Sequence, residues 1–138
     1  MTSIGVNRAM RYATLATLTA IAGSLFCLSG IAQTQTPAPF VGNWRVTWTG
    51  AKKQEEARLV LTESGGTWKA SSQARHSPCT GLEVPVSVES SSADGLALTL
   101  KFSAVLSGCS DAKVTLQRDG EKTVTGKRGN AILTLNRE

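Results

Sequence analysis

Histidine and cysteine are the side chains of this sequence best suited to catalytic or redox chemistry, and both are scarce. The one histidine lies in the segment Arg75-His76-Ser77-Pro78-Cys79. A catalytic triad would need it beside a serine and a carboxylate, and no nucleophile-elbow motif surrounds any serine. A zinc site would need several further ligands near it, which this segment does not offer. We therefore expect a protein that is not an enzyme and that has no catalytic residues, no metal and no cofactor.

The cysteines indicate a structural disulfide. Of the three cysteines, Cys27 lies in the apolar N-terminal stretch, whereas Cys79 and Cys109 lie in the body of the chain. Two cysteines in an exported domain usually pair. Because the sequence has no C-x-x-C pair, redox catalysis is not indicated. We predict a Cys79–Cys109 disulfide, which should stabilise the fold by about 3–4 kcal/mol.

The N-terminal segment has the features of a secretory leader. A short basic start without acidic residues precedes an apolar stretch, and small residues suit cleavage after Ala32. The stretch falls short of the ~20 apolar residues that a membrane-spanning helix needs. We expect a signal peptide over 1–32, a flexible tether over 33–39 and a single domain over 40–138. The mature protein would be periplasmic or secreted, with no membrane span after processing.

The charge of the mature chain argues against a nucleic-acid partner. Loss of Arg8 and Arg11 with the leader lowers the net charge from +5 to +3. The remaining basic residues are interleaved with acidic ones, as on the solvated faces of strands. A nucleic-acid-binding domain would instead concentrate its basic residues in a patch or stripe. We therefore expect no nucleic-acid partner.

Apolar and polar residues alternate with period two along most of the mature chain, which indicates β-strands. Eight strands are predicted, containing in turn Trp44, Leu59, Trp68, Val84, Leu98, Val114, Val124 and Leu133. The fifth is expected to continue its inward face through Phe102 and Ala104, and Asp119-Gly120 is expected to be a two-residue hairpin turn. Short connections between eight strands predict an all-β fold. An eight-stranded antiparallel up-and-down β-barrel fits best, with a β-sandwich as the alternative.

The tryptophans are the side chains best suited to binding, because each buries a large ring and still offers an N–H donor. Trp44 is expected to fill the barrel core. Trp48 is at the far end of the same strand, where it could line an open mouth. Barrel mouths are common ligand sites. We therefore predict a ligand-binding rim made of Trp48, Trp68 and loop residues near Arg75.

The start and the end of the domain carry a family resemblance. Gly42-Asn43-Trp44 at the opening of the first strand resembles the Gly-x-Trp motif of lipocalins and related calycin barrels. In that superfamily a basic side chain of the last strand packs across the first-strand tryptophan at the closed end of the barrel. The resemblance implies that Arg137 covers Trp44 and that the fold is a calycin-like barrel.

Two functional hypotheses follow from the sequence. In the first, an exported small β-barrel binds non-covalently, either a small apolar or aromatic ligand in its mouth or an extracytoplasmic protein through its loops. In the second, the barrel is packed solid, has no ligand cavity and serves as a structural or inhibitory interaction protein. The volume of the interior separates them, since a cavity of about 300 Å³ or more favours a ligand.

Overall fold

The computed structural model of the chain describes residues 34–71 and 77–138. These residues belong to a compact unit that spans Ile31–Glu138. The predicted leader, residues 1–32, lies outside the described residues, and so do Arg75 and His76.

Eight antiparallel strands form one closed barrel. Each strand pairs with the next along the chain, and the last pairs with the first. The prediction of an up-and-down barrel is confirmed, and the sandwich alternative is wrong. The elements are a 3-10 helix at Ala38–Phe40, then β1 Gly42–Thr49, β2 Gln54–Thr62, β3 Gly65–Ala70, β4 Glu83–Ser91, β5 Gly95–Leu100, α1 Phe102–Val105, β6 Ala112–Arg118, β7 Thr123–Arg128 and β8 Ala131–Arg137.

The alternation read from the sequence places the core inside the barrel. In β1, Trp44, Val46 and Trp48 are buried, whereas Arg45 and Thr49 are exposed. Each of the other seven strands also adds apolar side chains to this interior. Burial of their apolar surface is the main force that closes the sheet. The largest fully buried side chains are Trp68, Phe40, Leu59, Leu61, Leu98, Leu100, Leu133 and Leu135.

The fifth strand is shorter than its sequence pattern suggests. β5 ends at Leu100, and the next residues form the short helix α1, so the prediction that Phe102 and Ala104 continue the strand is wrong. A carboxylate holds this loop in place: Asp111 accepts hydrogen bonds from the Ser103 backbone N–H at 2.9 Å and from the Ser103 hydroxyl at 2.8 Å. Ala104 is exposed, while Phe102 packs against the core from outside the strand.

The turn between β6 and β7 also differs from the prediction. Four residues, 119–122, connect the two strands instead of the two expected. The Asp119 N–H donates to the Thr123 carbonyl at 2.8 Å and closes the longer loop. Gly120 supplies the positive φ, +95°, that this loop requires.

The two ends of the barrel are built differently. We call the end with the loops 63–64, 92–94 and 119–122 the closed end, and the end with the loops 50–53, 71–82, 101–111 and 129–130 the mouth. At the closed end the chain before β1 lies against the barrel. The Thr36 N–H donates to the Glu63 carbonyl at 2.9 Å, and Phe40 is fully buried.

Trp44 and Arg137 meet at the closed end. The Trp44 indole N–H donates to the Phe40 carbonyl at 2.8 Å. The Arg137 guanidinium carbon lies 4.7 Å from the centre of the Trp44 ring, and one of its nitrogens donates to the Pro39 carbonyl at 2.8 Å. Arg137 thus covers the ring and ties the chain before β1 to β8.

A disulfide joins two loops at the mouth. Cys79, between β3 and β4, is bonded to Cys109, between β5 and β6, as predicted. The bond fits an oxidising, extracytoplasmic compartment. Within residues 34–71 and 77–138, no helix has the length and apolar character needed to cross a membrane.

Candidate ligand-binding site

A cavity of about 420 Å³ opens at the mouth of the barrel. Its volume lies in the range of about 300–1,000 Å³ that small-molecule sites usually occupy. Strand ends form its wall, and the disulfide-linked loops form its outer rim. The lining residues are Trp48, Gly50, Lys53, Glu55, Trp68, Ala70, Cys79, Thr80, Gly81, Phe102, Ser110 and Arg128.

Two tryptophans form an aromatic surface in this cavity. Trp48 lies near the end of β1, and Trp68 lies in β3, on the far side of β2. Their ring centres are 5.9 Å apart, and the ring planes are tilted by 31°. Both rings face the barrel interior, where aromatic pairs of this geometry are favourable. The structure therefore brings together two of the three side chains predicted as a ligand rim.

Arg128 lies over both rings. Its guanidinium carbon is 4.8 Å from the centre of the Trp48 ring and 5.7 Å from that of Trp68. A cation within about 6 Å of an indole face is attracted by the ring quadrupole. Burial lowers the pKa of Arg128, and attraction to Glu55 opposes that shift. The guanidinium is therefore a half-buried cation held against an aromatic wall.

The register of the strands explains why these groups converge. Trp48 is paired with Glu55 across β1 and β2, so their side chains share the inner face. Arg128 is paired with Ala131 across the β7–β8 hairpin and follows the buried Val124 and Gly126 at two-residue spacing. The alternation of β7 therefore directs Arg128 inward.

The indole N–H of Trp68 has no acceptor among the described residues. Trp68 is only 1% exposed, and its Nε1 makes no hydrogen bond there. By contrast, the Trp44 N–H donates to a backbone carbonyl. A buried donor without an acceptor costs about 1–3 kcal/mol. An acceptor on a ligand in the cavity that Trp68 lines would relieve this cost.

The predicted site residues have different outcomes. Trp48 and Trp68 line the mouth cavity, whereas Trp44 is at the opposite end of the barrel. Arg75 lies outside the described residues. Arg128 was missed because Lys127-Arg128-Gly129-Asn130 has the composition of a turn. The sequence does contain a signal: Arg128 lies an even number of positions after the inward-facing Val124 along the strand, so alternation predicts that it also faces inward.

A second cavity, of about 520 Å³, lies at the closed end. It is lined by Gln35, Thr36, Pro37, Ala38, Val41 and Glu63. This lining has neither an aromatic ring nor a cation, so it offers less to a ligand than the mouth does. Among residues 34–71 and 77–138, no cluster of three or more histidine, cysteine or acidic side chains could hold a metal.

Comparisons with known proteins do not assign a family. No protein-family model matches the sequence, and no significant match is found among curated proteins or solved structures. The closed eight-stranded barrel is consistent with a calycin-like architecture. Membership of the lipocalins rests on the resemblance of Gly42-Asn43-Trp44 and Arg137 alone.

Proposed function

We propose that this protein is an exported binding protein that holds a small aromatic or apolar ligand non-covalently in the mouth cavity. The observation that carries the proposal is the Trp48–Trp68 pair facing a cavity of about 420 Å³. Such a cavity favours a ligand site over a barrel that is packed solid. The proposal involves no catalytic step, no metal and no cofactor.

The packing of side chains inside the barrel supports the mouth as the place where the ligand binds. Below Trp48 the interior is filled by buried side chains such as Val46 and Leu59. The ligand is therefore expected to occupy the mouth of the barrel instead of a deep central calyx. Its aromatic or apolar part would contact the tryptophans, and Phe102 would pack against it from the rim.

Calorimetry with neutral aromatic probes tests the proposal. We expect 2-naphthamide or indole-3-acetamide to bind at one site per chain. Ala70→Phe should abolish this binding, because Ala70 lines the cavity and a phenyl ring there would fill it. Ala97→Phe is the matched control, because Ala97 lies between two inward residues of β5 and faces outward. Failure of the wild-type protein to bind either these amides or the corresponding carboxylic acids, or equal binding by Ala70→Phe, would refute the proposed function.

A protein partner is the second candidate. Val105 and Leu106 are 45% and 37% exposed, and both lie on the mouth loop that follows β5. Neighbouring exposed apolar residues on a functional rim are typical of protein contacts. A partner bound at this loop should be lost with a Val105→Asp, Leu106→Asp double variant but retained by Ala70→Phe.

Export to the periplasm or the medium is part of the proposal. The disulfide at Cys79–Cys109 supports it, because such bonds persist in oxidising compartments. N-terminal sequencing of the protein recovered from its native compartment should begin at Gln33. Recovery of the uncleaved chain from the cytoplasm would overturn this assignment.

A further inference from the structure

We infer that the ligand carries an anionic head group of the carboxylate class, which binds the guanidinium of Arg128 while its aromatic or apolar body contacts Trp48 and Trp68. This inference rests on the proposed function, since it names the chemistry of the ligand in the same cavity. It follows from three features of the mouth.

The first feature is the placement of Arg128. Its guanidinium carbon lies 4.8 Å from the centre of the Trp48 ring and 5.7 Å from that of Trp68, so the cation is held at the aromatic wall of the cavity. The N–H donors of a guanidinium project in its plane and match the two oxygens of a carboxylate. An arginine held in this way is positioned to bind an acid whose apolar part lies on the same aromatic wall.

The second feature is the charge of the cavity itself. Lys53, Glu55 and Arg128 are its charged lining residues among those described, so cations exceed anions by one. Glu55 has an interaction of its own and also attracts Arg128. The site is therefore able to accept one further negative charge without becoming anionic overall.

The third feature is the distribution of charge between the two ends of the barrel. The described mouth loops contain the basic residues Lys52, Lys53 and Lys101, and Asp111 is their one acidic residue. The loops of the closed end have the opposite balance, with four acidic residues, Glu63, Asp94, Asp119 and Glu121, and one basic residue, Lys122. Such an asymmetry raises the local concentration of anions at the mouth.

Matched acid and amide probes test the inference. We expect 2-naphthoate to bind about tenfold more tightly than 2-naphthamide, because charge-assisted hydrogen bonds are about twice as strong as neutral ones. The same order should hold for indole-3-acetate and indole-3-acetamide. Raising the salt concentration should weaken binding of the acids and leave binding of the amides unchanged, since salt screens partly exposed charges.

Three variants of two adjacent residues locate the effect. Arg128→Gln should remove the preference for the acid, so that 2-naphthoate and 2-naphthamide bind this variant with affinities within about threefold of each other. Lys127→Gln removes the same charge from the neighbouring outward-facing residue of β7 and should retain the preference. Arg128→Lys should retain part of it, because the charge remains but the planar donor fork is lost.

The outcomes separate this inference from the proposed function. If the amides bind and the acids bind no more tightly, or if Arg128→Gln and Lys127→Gln behave alike, the anionic ligand is excluded and the binding function stands. If neither acids nor amides bind the wild-type protein, the binding function itself fails. Thermal unfolding of each variant checks that the barrel is intact.

Discussion

The guanidinium carbon of Arg128 lies 4.8 Å from the centre of the Trp48 ring, and this contact joins two strands that are not hydrogen-bonded to each other. β8 separates β7 from β1, so the side chains reach across it inside the mouth. Burial lowers the pKa of Arg128, and attraction to Glu55 partly offsets that shift. An aromatic pair and a cation are thereby placed together in the lining of the mouth cavity.

Removal of the closed-end tryptophan should strongly destabilise the fold. Trp44 is 2% exposed and donates to the Phe40 carbonyl. We expect Trp44→Ala to lower the free energy of unfolding by roughly 3–5 kcal/mol, as other large core truncations do. Urea denaturation followed by circular dichroism measures this change.

Trp44→Phe is the matched control, because it retains an aromatic ring but loses the N–H donor. It should cost less, about 1–3 kcal/mol, as expected when the buried Phe40 carbonyl loses its partner. A nearly neutral Trp44→Ala would contradict the inward face assigned to β1.

Loss of the disulfide should destabilise the protein mainly through the unfolded state. Cys79 and Cys109 are 30 residues apart, and closing a loop of that length stabilises a fold by about 3–4 kcal/mol in the chain-entropy description. We expect the Cys79→Ala, Cys109→Ala double variant to lose stability of this size while the strands remain paired. Denaturation of both proteins, with the circular-dichroism spectrum as a check of the fold, measures the effect. Equal stability of the two would be incompatible with a bond that constrains the unfolded chain.

The loop that contains α1 should respond to acid through Asp111. Its pKa is lowered below the ordinary value of 3.8, first by hydrogen bonds from the Ser103 backbone and hydroxyl and then by the charge of Lys101. A carboxyl whose pKa is lower in the folded state stabilises that state above the unfolded pKa, and this contribution is lost as the pH falls through the folded pKa. We expect the amides of this loop to lose protection from hydrogen exchange only below about pH 4.

A carbon-detected NMR titration of Asp111 with two serine variants checks the cause. Ser103→Ala should raise the pKa of Asp111, since it removes the hydroxyl donor and leaves the backbone N–H in place. Ser107→Ala is the control, because Ser107 is an exposed residue of the same loop. A pKa that does not change in Ser103→Ala would show that the hydroxyl bond makes no contribution in solution.

Alternation along the strands was sufficient to predict the barrel but insufficient to predict where each strand ends. Phe102 and Ala104 continue the period of β5, yet the chain leaves the sheet at Leu100, and Asp111 accepts hydrogen bonds from Ser103 in the loop that follows. A contact with a residue eight positions away cannot be read from the local pattern. The Asp119-Gly120 pair likewise predicts a turn correctly, while the length of that turn depends on the pairing of β6 with β7.

The candidate site could be predicted only in part, because alternation shows which side chains face inward but not where each strand ends. Parity places Trp48 and Trp68 on the inner face, and the position of Trp48 near the end of β1 places it at one end of the barrel. The alternation from Val124 directs Arg128 inward because β7 continues to that residue, and the β7–β8 hairpin turns directly after it, with Gly129 at a positive φ of +59°. A polar run that ends in Gly-Asn gives no sign of which residue still belongs to the strand.

The Cys79–Cys109 bond also determines from which side the barrel can be reached. It ties Cys79, which precedes β4, to Cys109, which precedes β6, so these two points of the rim cannot move apart. The opposite half of the rim has only the short connections at 50–53 and 129–130. We expect a ligand to enter over these short connections, next to Arg128, and not on the side where the disulfide lies.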